Sequence, residues 1–367
     1  MTPYSPEQLD PPGEIIREEL EARGWTQTDL AEVMDRPLAA VNEIINGKRK
    51  ITPKSAQELA TALEVDARFW MNLESAYQLS LSTGSRTSSE RAKMMNYAPV
   101  KELQNRGWLP DAPDTSKVLD AMMSFFGITT LDERPVLSAA FRQSSDAIDN
   151  SHLAWCIFAM QKARAQRVNT FHVSRAGKLR ESLRTLAAHK EEIRRVPSVL
   201  SDFGIRFVIV KHLRSTKIDG ATLWLDGQKR SRPVIAMSLR RGRIDNFWFT
   251  LCHELSHVLN RDSFRLDEDL AQATAGSSAD EIEERASEEA ASMLIPAHEI
   301  QSFILRKRPY FSAKSIIQFA NKIQIHPGIV VGQLQYRNAI KYSHSSHMLV
   351  AVRDLITETA VSDGWIK

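Results

Sequence analysis

Two cysteines in 367 residues, Cys156 and Cys252, form no CxxC pair and leave nothing from which to build a disulfide framework. A thiol beside a histidine, as at Cys252-His253, suits a reducing compartment. No apolar run reaches the roughly 20 residues that cross a bilayer. The acidic, proline-containing N-terminus does not read as a signal peptide. The chain is therefore expected in the cytoplasm, with no membrane partner. Excess charge is lacking too: 48 Lys and Arg against 45 Asp and Glu leave +3, so a nucleic-acid surface has to be local. There is no internal repeat and no low-complexity tract. What is present is 43% hydrophobic and 25% charged, an ordinary globular composition with length for two or three domains.

Against that plain background the stretch from Phe247 to Asn260 stands out, because its centre, His253-Glu254-Leu255-Ser256-His257, is HExxH. Leu251, Leu255, Val258 and Leu259 form an apolar stripe, and Asn246 to Asn260 holds neither Gly nor Pro, so a helix is predicted. Residues four apart share a helix face, which lets His253 and His257 offer two imidazoles to one metal ion. Glu254 then lies beside the metal, where it can take a proton from water. A buried helix with two merely hydrogen-bonded histidines is the plainer alternative. A catalytic zinc needs a third protein ligand and an open position. The acidic helix predicted over Asp280 to Leu294 offers Glu283, which continues the inward stripe of Ala286 and Ala290. On pattern alone Glu283 is equally one more acid on an acidic helix. Asp245, Asp267 and Glu268 are candidates to orient a ligand imidazole.

Upstream of this helix, Ile205 to Val210, Gly220 to Leu225 and Pro233 to Leu239 read as strands, with Asp219-Gly220 and Asp226-Gly227 as turns. Residues 90 to 200 carry helical patterns at Val100 to Arg106, Thr115 to Phe126, His152 to Gln166 and Gly177 to Arg195, punctuated by prolines.

The first eighty residues show no strand pattern and read as five short helices. Thr26 can cap the second, Gln27 to Met34; the turn Asp35-Arg36-Pro37 leads to a third, Leu38 to Asn46, stopped by Gly47. Two short helices across a tight turn in a small helical domain is the helix-turn-helix plan. Val41, Ile44 and Ile45 pack inward and leave Ala39, Asn42, Glu43 and Asn46 as candidates for base contact, with Lys48-Arg49-Lys50 facing phosphates. A helical protein-interaction module with a solvated helix end would give the same periodicity.

Two family resemblances sharpen these readings. Residues 11 to 79 resemble the XRE-type helix-turn-helix of HigA-like antitoxins, through Pro12-Gly13-Glu14-Ile15-Ile16, Gly24-Trp25-Thr26-Gln27, Leu30-Ala31, Val41 to Arg49 and the Ala60, Leu63, Phe69, Trp70, Leu73, Gln78 frame. That resemblance implies binding of operator DNA as a homodimer and adds Gln27 to the DNA-binding set. Residues 204 to 296 resemble the ImmA/IrrE zinc metallo-endopeptidases, through Asp219-Gly220-Ala221, Pro233 to Ala236, Ile244 to Phe247, HExxH and Glu283-Glu284-Arg285-Ala286. It implies zinc (Zn²⁺) as cofactor, Glu283 as third metal ligand and Glu254 as catalytic base. Arg285, Ser287 and Glu289 depart from the family pattern of Glu, Asn and Phe around that alanine. The tail's Ile325-His326-Pro327-Gly328 also resembles chains of this fused type, and His326 and Tyr336 are candidates to stabilise an oxyanion, beside a structural role for the histidine.

The expected protein is multidomain and mainly α with an α+β part: a five-helix helix-turn-helix domain over 1–84, a helical connector over 85–170, a zincin-like HExxH metallopeptidase domain with a small sheet over 171–310, and an α+β extension over 311–367. Its expected function is a DNA-binding regulator whose zinc endopeptidase cleaves a repressor, an antitoxin or itself. The alternative is an antitoxin or repressor, with room for a toxin partner, whose peptidase fold is a non-hydrolytic sensor or structural body.

Overall fold

The computed structural model describes residues 10–81, 86–135, 149–268 and 281–365. The chain divides into two compact units, Met1–Ala92 and Lys93–Lys367.

The first unit is built of helices α1 (Pro12–Arg23), α2 (Gln27–Val33), α3 (Leu38–Ile45), α4 (Pro53–Leu63) and α5 (Ala67–Leu81), followed by the start of α6 (Arg86–Tyr97). The short helices begin where the sequence satisfies their open N–H groups. Thr26 and Asp29 cap α2 reciprocally, as Thr52 and Ser55 cap α4. Ile16, Leu30, Val41, Ile44, Leu59, Leu63 and Trp70 fill the core. Gly13 is where α1 crosses α3: a Cβ there would lie 1.9 Å from the carbonyl oxygen of Ile45.

In the second unit the chain passes through α7 (Val100–Asn105), α8 (Thr115–Phe126), α9 (Asn150–Arg164), α10 (Ala176–Leu186) and α11 (Val196–Asp202). The single helix expected over Gly177 to Arg195 ends at Leu186, and Lys190–Arg195 is a 3₁₀ turn feeding α11. The break exposes the carbonyl of Ala187, which accepts the N–H of His326. Strands β1 (Arg206–Ile209), β2 (Ile218–Trp224) and β3 (Pro233–Met237) lead into α12 (Ile244–Asn260), β4 (Arg265–Glu268) and α13 (Glu281–Leu294). Helices α14 (Ala297–Lys307), α15 (Ala313–Ile323), α16 (Pro327–Tyr336) and α17 (Arg353–Thr357) and strand β5 (Val361–Ser362) complete it.

The sheet order is β4-β2-β3-β1-β5. It is mixed: β1 runs parallel to β3 (Phe207 opposite Ile235) and to β5, while β2 is antiparallel to β3 (Thr222 opposite Ile235) and to β4. Strands β1, β2 and β3 are buried along their whole length, as expected for a sheet covered by helices. Helix α9 lies against β1, β2 and β3, and α12 against β2 and β3. Asp219-Gly220, read from sequence as a turn, lies inside β2 instead. The reason is steric and belongs to the site below.

One hydrophobic core runs through this unit, from Leu103 and Met122 through Trp155, Val208 and Trp248 to Phe319, Val331 and Ile356. Described residues from each of the expected stretches 85–170, 171–310 and 311–367 contribute to this core, and the tail supplies an edge strand to the central sheet. Among the described residues no helix is long and apolar enough to cross a membrane.

Candidate metal centre and nucleic-acid interface

Helix α12 carries HExxH with its whole length buried except Asn246, Phe249 and Asn260. His253, Glu254 and His257 are each 0% exposed. Helix α13 brings Glu283 to the pair. His253 Nε2 is 3.2 Å from His257 Nε2, and Glu283 Oε2 is 3.1 Å from the first and 3.4 Å from the second. A tetrahedral ion with bonds of about 2.0–2.1 Å holds its ligand atoms about 3.3 Å apart. The three atoms thus stand at three corners of such a tetrahedron. Among the described residues this is the cluster of His, Cys, Asp and Glu with metal-binding geometry. Burial opposes ionisation of Glu283, but hydrogen bonding to His253 and His257 outweighs it and holds the carboxyl well below the usual range.

Glu254 faces the sheet. The Thr222 hydroxyl on β2 donates to Glu254 Oε2 at 2.8 Å. Gly220, two residues earlier on the same strand face, leaves room for the other oxygen: a Cβ at 220 would meet Glu254 Oε1 at 2.2 Å. This is why a glycine sits in a buried strand.

Beside His257 Nδ1 lies Asp262, an acid not named from sequence. Helix α12 closes on Arg261 in the left-handed conformation (φ 53°), which folds Asp262 back on the helix. Asp262 Oδ2 lies 2.8 Å from His257 Nδ1, the Asp262 N–H donates to the His257 carbonyl, and the Trp224 indole donates to the Asp262 carbonyl. Burial raises the Asp262 carboxyl, but hydrogen bonds from His257 and Arg285 lower it further. Asp245 is instead paired with Arg243 at 2.8 Å, two turns before His253. The side chains of Asp267 and Glu268 lie outside the described residues.

The three departures on α13 all touch groups around the histidines. Arg285 pairs with Asp262; Ser287 Oγ lies 3.4 Å from His253 Nδ1; Glu289 accepts from Ser256 Oγ at 2.7 Å and Asn260 Nδ2 at 3.0 Å.

Tyr336 and His326 sit at opposite ends of α16, and only Tyr336 is near the centre. Its ring packs 5.5 Å from Phe249, whose ring is 6.1 Å from that of His253. Burial raises the pKa of the Tyr336 hydroxyl. Phe249 and Tyr336, with Leu294, Ile329 and Tyr342, line a small cavity of about 40 Å³. His326 is not brought to the site. Its Nδ1 accepts the Gly328 N–H at 3.0 Å as the cap of α16, and burial lowers its pKa beside Glu191, Lys190 and His189. It serves the helix end.

In the first unit, α2 and α3 flank a turn at Asp35 (φ 47°), and α3 buries Val41, Ile44 and Ile45. Ala39 and Asn46 are exposed and Gln27, Asn42 and Glu43 half-exposed. Two of the candidates for base contact are already engaged: Asn46 Oδ1 accepts from Arg17 at 3.0 Å, and Glu43 pairs with Arg49 at 2.8 Å. Lys48, Arg49 and Lys50 are exposed in a row directly after α3.

Residues 16–70 match the helix-turn-helix family profile. The chain is 38% identical over 81 residues to virulence-associated protein A' of Dichelobacter nodosus, which spans 22% of this chain and 70% of that protein. The chain belongs to the helix-turn-helix family. This helix-turn-helix protein is also similar to virulence-associated protein I of the same organism, 35% identical over 78 residues, 21% of this chain and 72% of that one. A third relative is the uncharacterized HTH-type transcriptional regulator YddM of Escherichia coli K12, 28% identical over 68 residues, 18% of this chain and 72% of that one. The first unit is thus an XRE-type helix-turn-helix domain of the DNA-binding regulators.

Proposed function

We propose that this helix-turn-helix regulator carries a zinc-dependent endopeptidase of the ImmA/IrrE kind, with a zincin-like fold, in its second unit. The observation that carries the reading is the set of three ligand atoms 3.1 to 3.4 Å apart, next in sequence to a buried carboxylate fixed by Thr222. His253, His257 and Glu283 would hold the ion. Held there, zinc would supply a Lewis acid able to lower the pKa of a water and polarise a peptide carbonyl. Glu254 takes the proton of the attacking water and hands it to the leaving nitrogen. Thr222 and Gly220 keep its carboxylate in line for both transfers. The substrate is a protein regulator, a repressor or antitoxin or this chain itself. The first unit binds operator DNA as a homodimer, which brings the peptidase to the regulators assembled there.

The test is zinc stoichiometry on the full chain, followed by incubation of the zinc-loaded protein, with and without operator DNA, with candidate repressors. One zinc per chain and specific cleavage are expected. Zinc uptake without any cleavage would leave a sensor or structural body attached to an antitoxin or repressor. No zinc uptake would overturn the ligand assignment as well. For the DNA half, each phosphate contact contributes about −0.9 to the slope of log K against log salt. Replacing Lys48 and Lys50 with Gln is expected to flatten that slope by about two contacts. An unchanged slope would remove both lysines from the interface.

A further inference from the structure

The metal reading assigns three ligands but leaves open what fixes the imidazole of His257. A neutral imidazole can ligate through Nε2 only when its proton is on Nδ1, and an acceptor at Nδ1 makes that choice. Asp262 Oδ2 occupies that place at 2.8 Å. Asp262 itself is held at three points: by its N–H on the His257 carbonyl, by its carbonyl on the Trp224 indole, and by its carboxylate on Arg285. Arg285 follows Glu283 by two positions on α13, so the helix that delivers the third ligand also delivers the cation that holds Asp262. The carboxylate is 10% exposed and the guanidinium 39%. The Coulombic strength of such a half-exposed pair is modest. Its effect is geometric: it ties the third-ligand helix to the loop that orients the second ligand.

We propose that Arg285 and Asp262 are positioning residues of the metal centre, which set the Nδ1–H form of His257 and lock α13 against α12 so that Glu283 and the two imidazoles converge. The proposal rests on the metal reading above. Glu289 supplies the internal control, since it bridges the same two helices through Ser256 and Asn260 and touches no imidazole.

The experiment uses the full chain and cobalt(II), whose visible absorption reports ligand number and geometry whether or not the protein cuts anything. Wild type, Asp262→Ala, Arg285→Met, Arg285→Lys and Glu289→Gln are titrated with cobalt, and zinc affinity is read by competition with a chelator. Outer partners of ligating histidines typically contribute about 10–100-fold in metal affinity. Asp262→Ala is expected to lose about that much and to shift the cobalt spectrum. Arg285→Met should move both readouts in the same direction by a smaller factor, and Arg285→Lys should recover part of the loss. Glu289→Gln should leave the spectrum unchanged. Circular dichroism on each variant separates a misfolded chain from a displaced ligand, and the lysine variant carries the test if the methionine variant does not fold. Wild-type affinity and spectrum in Arg285→Met would overturn this proposal and leave the metal reading intact. If wild type itself takes up no cobalt or zinc, both fall together.

Discussion

Glu254→Gln is expected to bind zinc as the wild type does and to lose peptide-bond cleavage by about two to four orders of magnitude, the usual contribution of a positioned acid–base group. The amide keeps the size of the side chain, and its oxygen can still accept from Thr222, so neither the helix nor the ligands need move. What is lost is the basic oxygen pair that takes and returns a proton. A second variant reaches the same carboxylate without changing it. Gly220→Ala places a methyl group 2.2 Å from Glu254 Oε1, in a site where the glutamate is wholly buried and has no solvent to move into. The carboxylate must rotate or the strand must shift, so cleavage is expected to fall steeply while zinc still binds through the three ligands. Zinc stoichiometry and the rate of substrate cleavage, measured on both variants, check this. Cleavage at the wild-type rate by Glu254→Gln would remove Glu254 from the chemistry. Normal cleavage by Gly220→Ala alone would show that the strand yields, and would limit the claim to the glutamate.

The parts legible in the sequence are those that repeat a local rule. The HExxH helix shows because its two histidines are four apart on an apolar frame. The first five helices show because Thr26, Pro37, Gly47 and Thr52 punctuate them. What stayed hidden depends on contacts between distant segments. Gly220 reads as a turn beside Asp219, and only the approach of Glu254 explains a glycine in the middle of a strand. Asp262 follows a helix end, an ordinary place for an acid, and it becomes an orienting group only because Arg261 turns the chain back. Its distance of five residues from His257 was the one available signal. Strand β5 is two residues long and has no pattern to read. Residues 85–170 read as a connector because their helices show no chemistry, yet their apolar faces complete the core that supports the sheet.

The sharpest test of the first unit sets two local rules against each other at Gly13. Glycine inside a helix costs about 1 kcal/mol relative to alanine, so helix propensity alone makes Gly13→Ala stabilising. The crossing of α1 over α3 reverses the sign. The added Cβ would lie 1.9 Å from the Ile45 carbonyl oxygen and 2.6 Å from its carbon. These are backbone atoms and cannot rotate away as a side chain would. The same carbonyl accepts from Arg17 Nη2 at 3.3 Å, and Arg17 also holds Asn46 at the end of α3. Pushing the helices apart therefore opens the core around Ile16 and Ile44 and detaches Arg17 from the end of α3. Overpacking of this kind costs about 1–3 kcal/mol or more, which exceeds the gain in propensity. Gly13→Ala is accordingly expected to lower the unfolding midpoint of the first unit and to weaken operator binding, while Glu18→Ala, on the exposed side of α1, leaves both near wild type. Urea unfolding followed by tryptophan fluorescence, with operator titration at fixed salt, decides it. A stabilised Gly13→Ala with undiminished operator affinity would mean that α1 and α3 do not meet as described, and the placement of α3 would have to be redrawn.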